Sequence, residues 1–310
     1  MCVGCDNEPV DRRSFLAGVT TTTAGMAHAP LGDSSRALAW EAAPPDDKRP
    51  EPQNAFVRAL DDPAIQHSMV SFKSGKDTVE GYLARPKAAG RYRVVVVLHG
   101  DVGVPESHRN TAAQIAQGGF VGLAYKRFGR WPNMTVQDVV QSDRTDKRYL
   151  SGSFNDQELQ DAQAAVDYLK AQPFVKVGGV GVVGYCGGGY QALLLATRSK
   201  DVQAVVAFYA PPEMPPQFLN PKDPRPSLFD KAAQIKVPVQ GHYGGADPVV
   251  SLDIVRKFEQ ALRAQGTPAT FYTYDGATHA FYDYTRRTYH AEAAAKAKTR
   301  MLDFLKSNLK

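Results

Sequence analysis

The chain has few cysteines: Cys2, Cys5 and Cys186 among 310 residues. Two sit at the extreme N-terminus and one deep in the chain, which excludes a disulfide-stapled scaffold. Long apolar runs are also missing. Nothing approaches the ~20 consecutive apolar residues that span a bilayer, so no membrane span is expected. Charge of one sign is scarce too. The 37 Lys and Arg against 32 Asp and Glu leave a net +5, spread along the chain. A nucleic-acid footprint needs a clustered basic patch, so no nucleic acid partner is expected. At most the excess favours an anionic small molecule. Disorder is argued against by composition, with 43% hydrophobic and 22% charged residues. The length allows one large domain or two small ones.

The first forty residues read as an address. Asp11-Arg12-Arg13-Ser14-Phe15-Leu16 resembles the twin-arginine export signal, and a weakly apolar stretch follows from Ala17 to Ala27. Of two small-x-small cleavage sites, Ala37-Leu38-Ala39 is preferred, because cleavage at Ala27-His28-Ala29 leaves Pro30 at the new N-terminus. The resemblance implies a signal peptide over residues 1–39, delivery by the twin-arginine export machinery in the folded state, and a periplasmic or secreted destination. Residues 40–54, rich in Pro, Asp, Glu and Lys, read as a linker or extended arm. Cys2-x-x-Cys5 lacks a second ligand pair, and no metal site is expected anywhere in the chain.

From residue 68 the pattern becomes regular. Ser68–Ser74 and Val79–Arg85 bracket Gly75-Lys76-Asp77-Thr78 as a hairpin. Val94–Leu98 is a continuous apolar run, the mark of a strand buried on both faces. Further strands are expected at Val121–Tyr125, Val180–Gly184, Ala204–Tyr209, Val237–Tyr243 and Ala269–Tyr274. Helices are expected at His108–Gln117, Asn155–Lys170, Gly188–Thr197, Leu252–Ala264 and from Ala291 to Leu309. In the second helix Leu159, Ala162, Val166 and Leu169 share one face, and Asn155 with Glu158 suggests a capping box. Strands alternating with helices imply an α/β fold: a mostly parallel central sheet with helices on both faces, forming one catalytic domain over residues 55–310.

The most informative segment is Val180-Gly181-Val182-Val183-Gly184-Tyr185-Cys186-Gly187-Gly188-Gly189-Tyr190. It places a nucleophilic side chain between a short strand and a helix in the pattern G-x-nucleophile-x-G. The turn is too tight for bulky neighbours, so glycines stand two positions away on either side. The helix that follows points its free amides and positive dipole end at the sulfur, a setting that favours thiolate. A dinucleotide loop is the competing reading. The order G-x-C-x-G-G-G differs from G-x-G-x-x-G, and the strand comes late in the chain rather than first.

An elbow enzyme takes its partners in the chain order nucleophile, acid, His. His279, in Asp275-Gly276-Ala277-Thr278-His279-Ala280-Phe281, follows the last strand, where such a sheet presents its functional edge. His242 lies within a strand and His290 near the start of the last helix, so both read as packing or surface residues. Asp247, after Tyr243-Gly244-Gly245-Ala246, lies in an equivalent loop and is the candidate acid. Cys186, Asp247 and His279 therefore form a candidate catalytic set for attack on an ester or lactone carbonyl, through a thioester that water resolves. Two amides are expected to hold the oxyanion: the N–H of Gly187 and, from the loop His99-Gly100-Asp101-Val102-Gly103, that of Asp101. His99 reads as a structural histidine. Arg130 and Trp131, with Tyr185 as a weaker candidate beside Tyr209, are expected to line a substrate pocket. Residues 211–230 are a candidate lid.

These motifs resemble the dienelactone hydrolase (carboxymethylenebutenolidase) family over roughly residues 68–309. The resemblance rests on the elbow around Cys186, on Tyr243-Gly244-Gly245-Ala246-Asp247 and on Gly276-Ala277-Thr278-His279-Ala280-Phe281. It implies an α/β-hydrolase that cleaves a small-molecule ester or lactone with no cofactor. Two positions depart from the pattern. The family commonly carries Glu where this chain has Gly100, and there it helps govern ionisation of the thiol. Its best-known members carry Arg four residues after the catalytic His, to bind the substrate carboxylate, where this chain has Asp283. A further family arginine, after the second central strand, is matched by Arg130. The alternative function is a catalytically silent relative that binds a small molecule without turnover. A redox role for Cys186 lacks a resolving cysteine.

Overall fold

A computed structural model describes residues 59–100, 106–127, 152–213 and 224–310 of the chain, all within one compact unit. The expected signal segment 1–39, the arm 40–54, Asp101, Arg130, Trp131 and residues 214–223 of the candidate lid lie outside the described residues.

Eight strands form one sheet: β1 (Ile65–Ser74), β2 (Asp77–Pro86), β3 (Tyr92–Leu98), β4 (Val121–Tyr125), β5 (Val175–Tyr185), β6 (Val202–Phe208), β7 (Val239–Gly244) and β8 (Ala269–Tyr274). Their spatial order is β1-β2-β4-β3-β5-β6-β7-β8. The β1–β2 and β2–β4 pairs are antiparallel, and every other pair is parallel. The helices are α1 (Glu106–Gln117), α2 (Gly152–Lys170), α3 (Gly187–Leu195), a single turn α4 (Leu228–Lys231), α5 (Leu252–Ala264) and α6 (Ala291–Asn308).

Two apolar cores follow from the period-2 alternation of strand side chains. In β3, Val94, Val96 and Leu98 face one core, while Val95 and Val97 face the other. The first core is closed by Leu159, Ala162, Val166 and Leu169 of α2, by α3, and by Phe258 and Leu262 of α5. The second is closed by Ala112, Ala113, Ile115 and Ala116 of α1 and by Ala293, Ala297, Met301 and Leu305 of α6. Each large side chain so buried contributes roughly 1.5–3 kcal/mol. The sheet is thus covered on both sides, and only its β1–β2 end turns antiparallel.

Three expectations need correction. Strand β5 begins at Val175 rather than Val180, because Val175 pairs with Tyr92 before a register shift. Glycines 178 and 179 obscure this part in the sequence. Helix α2 begins at Gly152, so Asn155 and Glu158 do not form a capping box. Both are buried within the helix, where Gln191 donates to each of them.

Candidate active site

Cys186 occupies the turn between β5 and α3, with φ 50° and ψ −121°. A residue with a side chain held there stores roughly 1–3 kcal/mol of backbone strain. The turn is clamped by backbone bonds. The Cys186 N–H donates to the Phe208 carbonyl at 2.9 Å, and its carbonyl accepts from Gly189 and Tyr190. Close approach explains the glycines. A Cβ on Gly184 would stand 2.3 Å from the Gly188 carbonyl oxygen, and one on Gly188 would stand 2.2 Å from that of Leu98. The sulfur is half-buried and free of any disulfide. Gly187 is the first residue of α3, so its N–H belongs to the amides a helix leaves without an internal partner.

Asp247 follows β7 and is fixed on two sides. Its Oδ1 accepts the N–H groups of Val249 at 2.8 Å and Val250 at 3.0 Å. Its Oδ2 lies 2.9 Å from Nδ1 of His279. The two loops are also joined through backbone: Gly245 N–H donates to Tyr274 and Ala246 N–H to Ala277. The side chains of Asp247 and His279 are almost wholly buried. Burial alone would discharge the imidazole. The nearby Cys186 and the hydrogen bond to Asp247 outweigh it, and push His279 up to about 10. The structure therefore brings Cys186, Asp247 and His279 together at the carboxyl edge of the sheet.

The surroundings are aromatic. Tyr209, with φ 38°, sets its ring 4.9 Å from that of His279. Ala280, next to His279, has φ 60°. Among the described residues the non-glycine positive-φ positions are Cys186, Tyr209 and Ala280, all at this edge. Tyr185 was expected at the pocket, but it lies in the core beneath the site. It is buried, stacked on Phe208 at 4.8 Å, with its hydroxyl 3.3 Å from Thr111. It faces inward because its neighbour Cys186 takes the outward position. His99 is buried, and its Nε2 lies 2.8 Å from the Tyr125 carbonyl. His242 is buried between Tyr274 and Gln240, and burial followed by the charge of Arg300 pulls it down to about 3. His290 caps α6. Asp283 accepts from Thr285 and from Arg286 at 3.1 Å, so its carboxylate is spent on a local turn.

Sequence reasoning missed a polar cluster beneath the elbow. Arg127 and Glu158 are ion-paired and buried. Glu158 also accepts from Gln191, and Arg225 approaches it at 3.5 Å. The signal was present as Asn155, Glu158 and Asp161, spaced by three along the otherwise apolar face of α2. Among the described residues no group of three or more His, Cys, Asp or Glu could hold a metal ion, and no helix is long and apolar enough to cross a membrane.

A profile of the dienelactone hydrolase family matches residues 79–309. The chain belongs to that family. It is 30% identical over 260 residues to a protein of Escherichia coli O157:H7 named "Putative carboxymethylenebutenolidase", with 82% of this chain and 91% of that protein covered. A protein of the same name from Methylorubrum extorquens is 29% identical over 228 residues, covering 74% and 76%. Among solved structures, a "Putative Dienelactone Hydrolase" from Klebsiella pneumoniae superposes with a TM-score of 0.69 at 27% identity, covering 78% of this chain and 99% of that one. The fold of this family member is α/β, with a mostly parallel eight-stranded sheet flanked by helices, and the family is one of hydrolases acting on lactones and esters.

Proposed function

We propose that this hydrolase opens a small-molecule ester or lactone with Cys186 as nucleophile, His279 as proton carrier and Asp247 as the group that orients His279. The observation that carries the reading is the meeting of a strained cysteine at a helix start with a buried His–Asp pair. In the reaction, the sulfur attacks the carbonyl carbon while His279 holds the proton that left the thiol. The negative charge on the carbonyl oxygen is taken by the Gly187 N–H and a second amide, assigned to Asp101. Collapse breaks the C–O bond, and His279 returns its proton to the leaving alkoxide. Water, deprotonated by His279, then cleaves the thioester. Asp247 keeps the ring in one tautomer and favours the imidazolium.

Arg130 and Trp131 complete the proposal as pocket residues for a carbonyl or anionic oxygen and for apolar contact. With Asp283 engaged in its own turn, carboxylate recognition of the dienelactone type has no arginine at that position, so the preferred substrate is an ester or lactone other than the dienelactone. Hydrolysis of p-nitrophenyl acetate by wild type, Cys186→Ala and Cys186→Ser tests the chemistry. Cys186→Ala should lose about a thousandfold or more in kcat, with a Cys186 thioester visible by mass spectrometry in wild type alone. Equal rates for wild type and Cys186→Ala would leave a small-molecule binder in its place. Residues 1–39 are proposed to direct export to the periplasm or beyond. Cell fractionation should find Arg12→Lys/Arg13→Lys retained inside, and unchanged delivery would overturn that assignment.

A further inference from the structure

Beneath the elbow lies a cation that the reaction sketched above leaves unused. Arg127, just past the end of β4, is buried. One guanidinium nitrogen donates to the His99 carbonyl at 2.6 Å, and Nε is bonded to Glu158. The guanidinium also covers the open face of Gly187. A Cβ built on Gly187 would meet its two terminal nitrogens at 3.5 and 3.6 Å and nothing else within 4 Å. One group thus touches the residue before Gly100 in the oxyanion loop and the first residue of α3. A buried ion pair is seldom needed for stability, since apolar replacement is often neutral or better. Its position at the reacting end calls for another account.

We propose that Arg127 is a positioning residue for the nucleophile: it locks the His99–Gly100 backbone against the Gly187 end of α3 and sets a fixed positive charge beside the sulfur. The inference rests on the reading of Cys186 as the nucleophile. Burial disfavours the Arg127 cation while Glu158 favours it most, and the guanidinium lies against Gly187, the residue that directly follows Cys186. The other groups facing the pair are His279 from the loop after β8, His99 just past β3, Tyr125 at the end of β4, Glu158 from α2, and Arg225 with its cation lying over Tyr190. Glu158 is shared between Arg127, Gln191 and Arg225. It holds Arg127 in place without being devoted to it.

The test is the pH dependence of iodoacetamide alkylation at Cys186, followed by peptide mass mapping so that Cys2 and Cys5 do not contribute. It is run on the full chain as wild type, Arg127→Met and Arg127→Lys, alongside kcat and KM. Removing a cation next to a thiol should raise the alkylation midpoint by about one pH unit. Arg127→Met should also lower kcat roughly ten- to hundredfold with KM within about twofold. Arg127→Lys keeps the charge and should hold the midpoint near that of wild type. An unmoved midpoint in folded Arg127→Met, or an equal shift in both variants, overturns the proposal. Should neither variant fold, Arg127→Gln, which keeps a donor for the His99 carbonyl but not the charge, is measured in their place: a raised midpoint supports the fixed cation, and an unmoved one overturns it. If Cys186→Ala hydrolyses esters like wild type, the nucleophile reading fails on its own, while the midpoints still report on Arg127.

Discussion

At the scale of single residues, the site is governed by how little room surrounds the sulfur. Gly100 packs directly against the turn that carries Cys186. A Cβ there would lie 3.0 Å from the Cys186 Cβ and 3.2 Å from the Tyr185 carbonyl oxygen. Adding even a methyl group therefore pushes the Cys186 side chain or the loop aside by a few tenths of an ångström. Gly100→Ala is expected to lower kcat about ten- to hundredfold, because displacements of an ångström at a reacting centre cost that much. Its melting temperature should stay close to that of wild type. Steady-state kinetics together with thermal denaturation check both halves. The sequence displays Cys186, Asp247 and His279 openly, since glycines and strand ends mark such loops. It does not display Arg127. A single arginine after a strand looks like any surface arginine until the fold buries it against Glu158.

At the scale of elements, the sheet carries a continuous aromatic row directly below the site. Tyr185, Phe208, His242 and Tyr272 are cross-strand neighbours on β5, β6, β7 and β8. Their rings stack at 4.8, 4.5 and 5.7 Å, and Arg300 of α6 closes the row 4.0 Å from Tyr272. Phe208 holds the middle, and Tyr209 beside it packs on His279. Phe208→Ala should cost about 3–5 kcal/mol in urea denaturation, as for other fully buried phenylalanines, and should reduce kcat by loosening Tyr209 and His279. A loss well under 1 kcal/mol would count against the row as a support. The alternation of strands and helices was legible because apolar runs such as Val94–Leu98 and the one-sided face of α5 follow fixed periods. The row was not, because it joins residues from four distant strands whose register only the folded sheet sets. The early start of β5 escaped for a local reason: Lys176, Val177 and Gly178 are exposed, Val177 at 89%.

At the scale of the whole molecule, two buried histidines pull stability in opposite directions with pH. His279 is raised to about 10. Its contribution is fully present below the ordinary value near 6.5 and is lost as pH rises through about 10. His242 is lowered to about 3. Its contribution is fully present above about 6.5 and is lost as pH falls toward 3, because the unfolded chain then binds a proton that the folded one refuses. Thermal stability should therefore peak near pH 6.5. His242→Gln should flatten the acid limb and His279→Gln the alkaline limb, measured as melting temperature between pH 4 and 10. A variant that leaves its limb unchanged would show that other groups dominate there.

The order of the site along the chain has a consequence for synthesis. His279 follows Cys186 by 93 residues, so the strand and loop that seat it are made after the turn that carries the sulfur. At about 5–20 residues per second, translation separates the two by roughly 5–20 s. During that interval the growing polypeptide carries its thiol without the ring proposed to take its proton. The thiol thus stays quiet on the ribosome until its proposed proton carrier has been made.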